Sequence, residues 1–374
     1  MLLSYCTNVH PAEDLEGMLN QLRTYAGPIR AKAGLNSLGV GLWLPAVLAE
    51  ELASSSSDRI ALRELLTQQR LFIHTINAFP YGGFHNDIVK HDVYKPDWAD
   101  PLRLEYTLNC AEVLADLLPD NVDGSISTLP LGWRDPWPEE KDIEATAAFV
   151  RLSEGLRDIK ARTGRTIRVA VEPEPGCVLD DVADVVDWLA ARIPAGIDPE
   201  HIGICLDACH LAVSFADPAD SVRLITEAGL RVVKLQASAA LHVQDPSQPT
   251  ARDALDAFRE PRYLHQVREL ASDSVLQVDD LSEAIGTLPG AGPWRVHFHM
   301  PLHHVPPVPL TTTTDVLRST VEAVRRAPHG ESAHLDVETY TWSVLPKGTE
   351  SLVDGIAAEL VWATNELLQP LPAV

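Results

Sequence analysis

The feature that most constrains this chain is its rhythm. Short runs rich in β-branched and aromatic residues alternate with longer stretches of helical pattern. The β-rich runs are LLSYCTN (2–8), LGVGLWL (38–44), LFIHTIN (71–77), GSISTL (124–129), TIRVAVE (166–172), HIGICLD (201–207), RVVKLQA (231–237), WRVHFHM (294–300) and HLDVETY (334–340). Helices are predicted over 139–162, closed by Gly164, over 217–228, opened by Asp217 and Pro218, and over 313–327. Such alternation favours a parallel sheet with helical crossovers, and 374 residues with 45% apolar content can bury that sheet on both faces. The expectation is one α/β domain over 1–374, a (β/α)8 TIM barrel. Nine runs exceed the eight strands of that fold, so one run is an addition. The segment 238–293 is too long for an ordinary strand–helix connection and is expected to be an insertion over the barrel mouth.

Side-chain parity along the later runs carries the functional signal, because neighbouring residues of a strand point to opposite faces. In 166–172 the apolar Ile167, Val169 and Val171 share one face, which leaves Glu172 on the other; in 201–207 Ile202, Ile204 and Leu206 oppose Asp207. Likewise Lys234 and Gln236 oppose Val233 and Leu235, His297 and His299 oppose Val296 and Phe298, and Glu338 opposes Leu335 and Val337. The C-terminal strand ends of a barrel converge on one mouth, so these residues are expected to meet there. Carboxylates with an imidazole or an amide form a ligand set for Mg²⁺, Mn²⁺, Co²⁺ or Zn²⁺. Taken singly, each acidic residue could equally end its strand in solvent; it is their joint occurrence that favours a site.

Composition limits the partners. With 53 acidic against 30 basic residues the formal net charge is −23, which repels phosphate backbones and argues against nucleic acid. No apolar stretch reaches the length of a membrane span, and the N-terminus has no basic region ahead of its apolar start. The five cysteines include no CxxC pair, which suits a reducing compartment, and the expected location is the cytoplasm. Dinucleotide, P-loop and G-x-S-x-G motifs are absent. A monomer and a homo-oligomer are both compatible with the chain.

At EPEPG (172–176), LDACH (206–210) and VETYTW (337–342) the sequence resembles the xylose isomerase-like TIM-barrel superfamily of sugar isomerases, ketose 3-epimerases and endonuclease IV-type enzymes. That resemblance implies metal ligation by Glu172, Asp207 and Glu338, with His210 on metal or substrate. Where the superfamily has a seventh-strand histidine this chain has Gln236, so Gln236 and His299 are alternative fourth ligands, His299 being the better donor. Longer segments, among them TINAFPYGGFH (75–85), SISTLPLGW (125–133), LDACHLAVSFAD (206–217) and HLDVETYTWSVLP (334–346), resemble the metabolite traffic protein EboE family.

The resulting expectation is a divalent-metal-dependent isomerase or epimerase of a sugar, sugar phosphate, polyol or cyclitol, with Glu172 and Glu338 as paired acid and base. Glu174, His210, Lys234 and His85 are the candidate substrate contacts. The alternatives are a phosphoester hydrolase with more than one ion and a barrel that binds a metabolite without converting it.

Overall fold

The computed structural model describes residues 1–346 and 350–370. Its first seven strands are β1 (Leu3–Cys6), β2 (Leu38–Trp43), β3 (Leu71–Asn77), β4 (Gly124–Thr128), β5 (Ile167–Val171), β6 (Ile202–Asp207) and β7 (Val232–Ala237). The chain then builds β8 (Leu241–Val243), β9 (Val267–Leu270), β10 (Val275–Val278), β11 (Trp294–Val296) and β12 (Leu310–Thr312) before returning to β13 (His334–Val337). Strands β1 to β7 and β13 close a parallel barrel in which β13 pairs with both β7 and β1. The other five form a separate sheet in the order β10-β9-β11-β8-β12.

The helices lie where capping chemistry puts them. Glu139–Thr163 ends on Gly164 in the left-handed region, and Pro218–Glu227 starts with the Asp217 carboxylate accepting from the Asp220 amide. Thr314–Arg326 follows β12. Outward residues of the barrel, such as Ile167, Val169, Ile202, Ile204 and Leu235, are buried against these helices in one continuous core.

The barrel interior is polar. Lys234 Nζ lies 2.9 Å from Asp336 Oδ2, both fully buried, and Ser4 Oγ donates to Asp336 Oδ1 at 2.7 Å. A Cβ at Gly41 would collide with the Asp336 carboxylate, so β2 makes room for this pair with a residue that has no side chain.

The run 294–300 departs from the sequence reading. Only Trp294–Val296 is a strand, and it pairs antiparallel with β8 and β9 outside the barrel, which identifies it as the ninth, additional run. The small sheet has its own apolar core, including Leu241, Val267, Trp294, Phe298 and Leu310. His297 and His299 therefore come from a segment that leaves this sheet and folds across the mouth. There the His297 amide donates to Gln266 O and the Met300 amide to Ala239 O. The parity argument, valid for the barrel strands, does not apply to these two imidazoles, and both are buried.

Candidate metal centre and cavity

Each carboxylate is fixed by the element that ends at it. Asp207 closes β6 and caps the helix Ala208–Val213: its Oδ1 accepts from the His210 amide at 2.8 Å and from Ser238 Oγ at 2.9 Å. Glu338 follows β13, and its Oε1 accepts from the amide groups of Asn8 at 2.7 Å and Asn77 at 2.8 Å. Glu172 follows β5 just before Pro173. One oxygen from each of Glu172, Asp207 and Glu338 lies within 4.8 Å of the others.

His299 and His210 form a second group with Asp207, again with one ligand atom of each within 4.8 Å of the others. His299 Nδ1 faces the Glu338 carbonyl oxygen at 2.8 Å; a carbonyl only accepts, so Nδ1 carries the proton and Nε2 presents its lone pair, 3.8 Å from Asp207 Oδ2. Glu172 Oε2, Asp207 Oδ2 and His299 Nε2 are all buried without a hydrogen-bond partner. Buried polar atoms left unpaired cost free energy, and lone-pair donors of these kinds grouped around Asp207 fit a divalent cation. Glu172, Asp207, His299 and Glu338 could hold such an ion. Gln236 sits beside Asp207 in the β6–β7 register, and both its amide atoms are buried and unpaired.

A further group flanks these. His210 Nδ1 is 2.8 Å from the Pro173 carbonyl oxygen, and His210 Nε2 is 3.0 Å from His297 Nε2. His297 Nδ1 meets Gln266 Oε1 at 2.6 Å, and the Gln266 amide is oriented by donating to the Pro175 carbonyl at 3.0 Å and to Tyr94 Oη at 3.1 Å. Glu174 accepts from Tyr94 Oη at 2.8 Å and completes a cluster with His210 and His297.

Above these residues a cavity encloses about 530 Å³ of space, part of it open to solvent. Glu172, Glu174, His210, His297, His299 and Glu338 line it, together with Asn8 and Asn77. Two of the expected substrate contacts are placed elsewhere. Lys234 is locked to Asp336 inside the barrel, and the His85 imidazole is turned onto the Asn8 carbonyl at 2.7 Å; neither lines the cavity. Among the aromatic residues beyond the strand ends, Phe84 and Tyr340 reach the cavity, whereas Trp98 is fully buried against Phe149. Asn8 was legible in principle, because it continues the inward parity of Ser4 and Cys6. Gln266 and Tyr94 carry no such signal; they lie in the small sheet's approach and in a 3-10 turn.

Electrostatics separates the acids from the imidazoles. Burial, followed by repulsion from Glu338 and Asp207, holds the Glu172 carboxyl well above its usual range. Burial, then Asp207, pushes Glu338 up to about 8. Burial lowers His299 to about 4 and His297 well below its usual value.

These shifts give a stability profile with a definite sign. Up to pH 6.5, where an ordinary imidazole titrates, the buried histidines hold fewer protons folded than unfolded and favour folding as pH rises. Between pH 6.5 and about 8 the raised carboxyls dominate: the folded chain holds more protons than the unfolded one, so metal-free protein loses stability as pH rises. A divalent ion needs ionised ligands, so its stabilising increment is expected to grow over the same interval. Calorimetric Tm values with a chelator and with Mn²⁺, at pH 6.5 and 8, check this; a chelated Tm that rises, or a metal increment that shrinks, contradicts it.

No protein-family model matches the chain, and no curated protein does. Solved structures do match along its length. A D-psicose 3-epimerase determined with D-fructose aligns at a TM-score of 0.51 and 10% identity, over 98% of this chain and 99% of the other. A D-allulose 3-epimerase from Methylomonas sp. in complex with D-allulose aligns at 0.51 and 12%, over 98% and 97%. The fold is the xylose isomerase-like (β/α)8 barrel. An IolI protein with a bound zinc atom aligns at 0.50 and 11%, over 98% of both chains. At these identities the likeness concerns the fold. Among the described residues no helix is long and apolar enough to cross a membrane.

Proposed function

We propose that this xylose isomerase-like barrel is a divalent-metal-dependent isomerase or epimerase of a sugar, polyol or cyclitol. The reading rests on the unpaired Glu172 Oε2, Asp207 Oδ2 and His299 Nε2 in two groups that share Asp207, Glu172–Asp207–Glu338 and Asp207–His210–His299, beside a cavity lined by Glu172, Glu338 and His299. A bound cation supplies Lewis-acid polarisation of a carbonyl next to a hydroxyl-bearing carbon. Glu172 takes the proton from that carbon, and Glu338 returns one to the other face, or to the neighbouring carbon in an isomerisation. Asn8 and Asn77 hold the Glu338 carboxylate in place, while the Pro173 carbonyl fixes the ring of His210 at the cavity wall. The similarity to sugar 3-epimerases in fold supports this reaction class, and the sequence resemblance to the EboE family is in keeping with a role in a metabolite pathway.

A specific observation keeps hydrolysis as the second reading. The Nε2 atoms of His210 and His297 face each other at 3.0 Å next to Glu174, an arrangement that could take a further ion. Elemental mass spectrometry of the purified protein separates the two. About one Mn²⁺, Co²⁺ or Zn²⁺ per chain, lost in Asp207→Ala, is the expected result; two or more per chain favours hydrolysis. A wild-type chain that takes up no ion leaves a binding barrel without metal chemistry.

A further inference from the structure

The walls of the cavity differ in kind from its floor. Phe79, Phe84, Val89 and Tyr340 from the barrel loops and Tyr263 and Leu264 from the insertion enclose the space above the carboxylates. The aromatic rings brace one another: Phe84 and Tyr263 have centroids 5.2 Å apart, Tyr263 and Tyr340 4.9 Å, and Phe84 and Tyr340 5.6 Å. Several polar atoms of this collar are already used. Tyr263 Oη donates to the Phe84 carbonyl at 3.1 Å, Tyr94 Oη is held by Glu174, and the amides of Val89 and Lys90 donate to the Arg262 carbonyl. Lys90 is the single cation among the lining residues, and its ammonium is paired with Asp280 Oδ2 at 2.6 Å.

A phosphate on this wall would meet mostly carbon, with an already paired lysine as its one cation, and a ring of hydroxyls there would leave most of them unpaired, each at a cost. We infer that the substrate of the proposed reaction presents two or three adjacent oxygens to the acidic floor and carries an uncharged apolar substituent, alkyl or aryl, that the collar encloses. The inference rests on the metal-dependent reading of the same site and narrows it: sugar phosphates and fully hydroxylated hexoses fit the floor and not the walls.

Hydroxamates test the floor and the walls separately, because one chelating head can carry different tails. The probes are acetohydroxamate, hexanohydroxamate and phosphonoacetohydroxamate, titrated calorimetrically into the Mn²⁺-loaded full-length protein. Hexanohydroxamate is expected to bind about tenfold tighter than acetohydroxamate or better, the gain from burying a couple of methylenes, and the phosphonate more weakly than either. Leu264→Ala is expected to lower hexanohydroxamate affinity about threefold or more and to leave acetohydroxamate binding unchanged. Equal affinities for the two uncharged probes, or tightest binding of the phosphonate, overturn the inference while acetohydroxamate binding upholds the metal floor. If no probe binds Mn²⁺-saturated protein, the metal-dependent reading itself fails and the inference falls with it. Should Leu264→Ala not fold, the three wild-type affinities still decide.

Discussion

Replacing Glu172 by glutamine is expected to stop exchange of the substrate's carbon-bound proton with deuterium oxide for one member of an epimer pair and to leave it measurable for the other. Glu338→Gln should show the reverse selectivity. The reason is geometric: the two carboxylates come from β5 and β13, on different sides of the Asp207 carboxylate at the end of β6, so each can serve one face of a substrate carbon. A glutamine keeps the shape of the side chain and removes the base. Overall epimerisation needs both groups and should fall by about 10²–10⁴-fold in either variant. Since each glutamate is also placed to hold the ion, the assay is run at saturating Mn²⁺, with bound metal measured in parallel. Exchange lost equally for both epimers in both metal-loaded variants would remove the two-base mechanism and leave one glutamate as a ligand only.

The second large effect is expected below the site. Lys234 and Asp336 are both fully buried, and burial works against the lysine's charge; Asp336, with Cys6 and Cys205, more than offsets this and holds the ammonium above its usual range. Lys234→Met leaves the Asp336 carboxylate with Ser4 Oγ as its hydrogen-bond donor in a closed interior. Removing one member of a buried pair costs about 3–5 kcal/mol, a large part of a typical domain's stability. The loss should be read as a lower midpoint in urea unfolding. The double variant Lys234→Met/Asp336→Leu, which removes both charges, is expected to recover much of it. A single variant as stable as the wild type would mean that the buried pair adds nothing to stability.

These expectations differ in how far the linear chain alone supports them. Period-two alternation along 166–172, 201–207 and 334–340 placed Glu172, Asp207 and Glu338 on inward faces, because the barrel strands follow the alternation and end at a common mouth. Capping chemistry marked Gly164 and Asp217 as helix ends for the same local reason. The run 294–300 misled, since its alternation resembles that of a barrel strand although only three of its residues pair, and they do so in another sheet. Nothing local distinguishes a barrel strand from an edge of a small antiparallel sheet; the partner decides.

Local periodicity in the sequence therefore marked the barrel strands and the inward parity of Glu172, Asp207 and Glu338, whereas strand pairing was set by the fold. Tertiary structure decided what covers the acidic floor. His299 reaches Asp207 across a fold of the insertion, His297 and Gln266 are brought against His210 from the same sheet, and Lys234 is withdrawn from the cavity by Asp336. The physical reason is that contacts between segments far apart in the chain depend on packing and on the closure of long loops, which leave no periodic trace in the residues that make them.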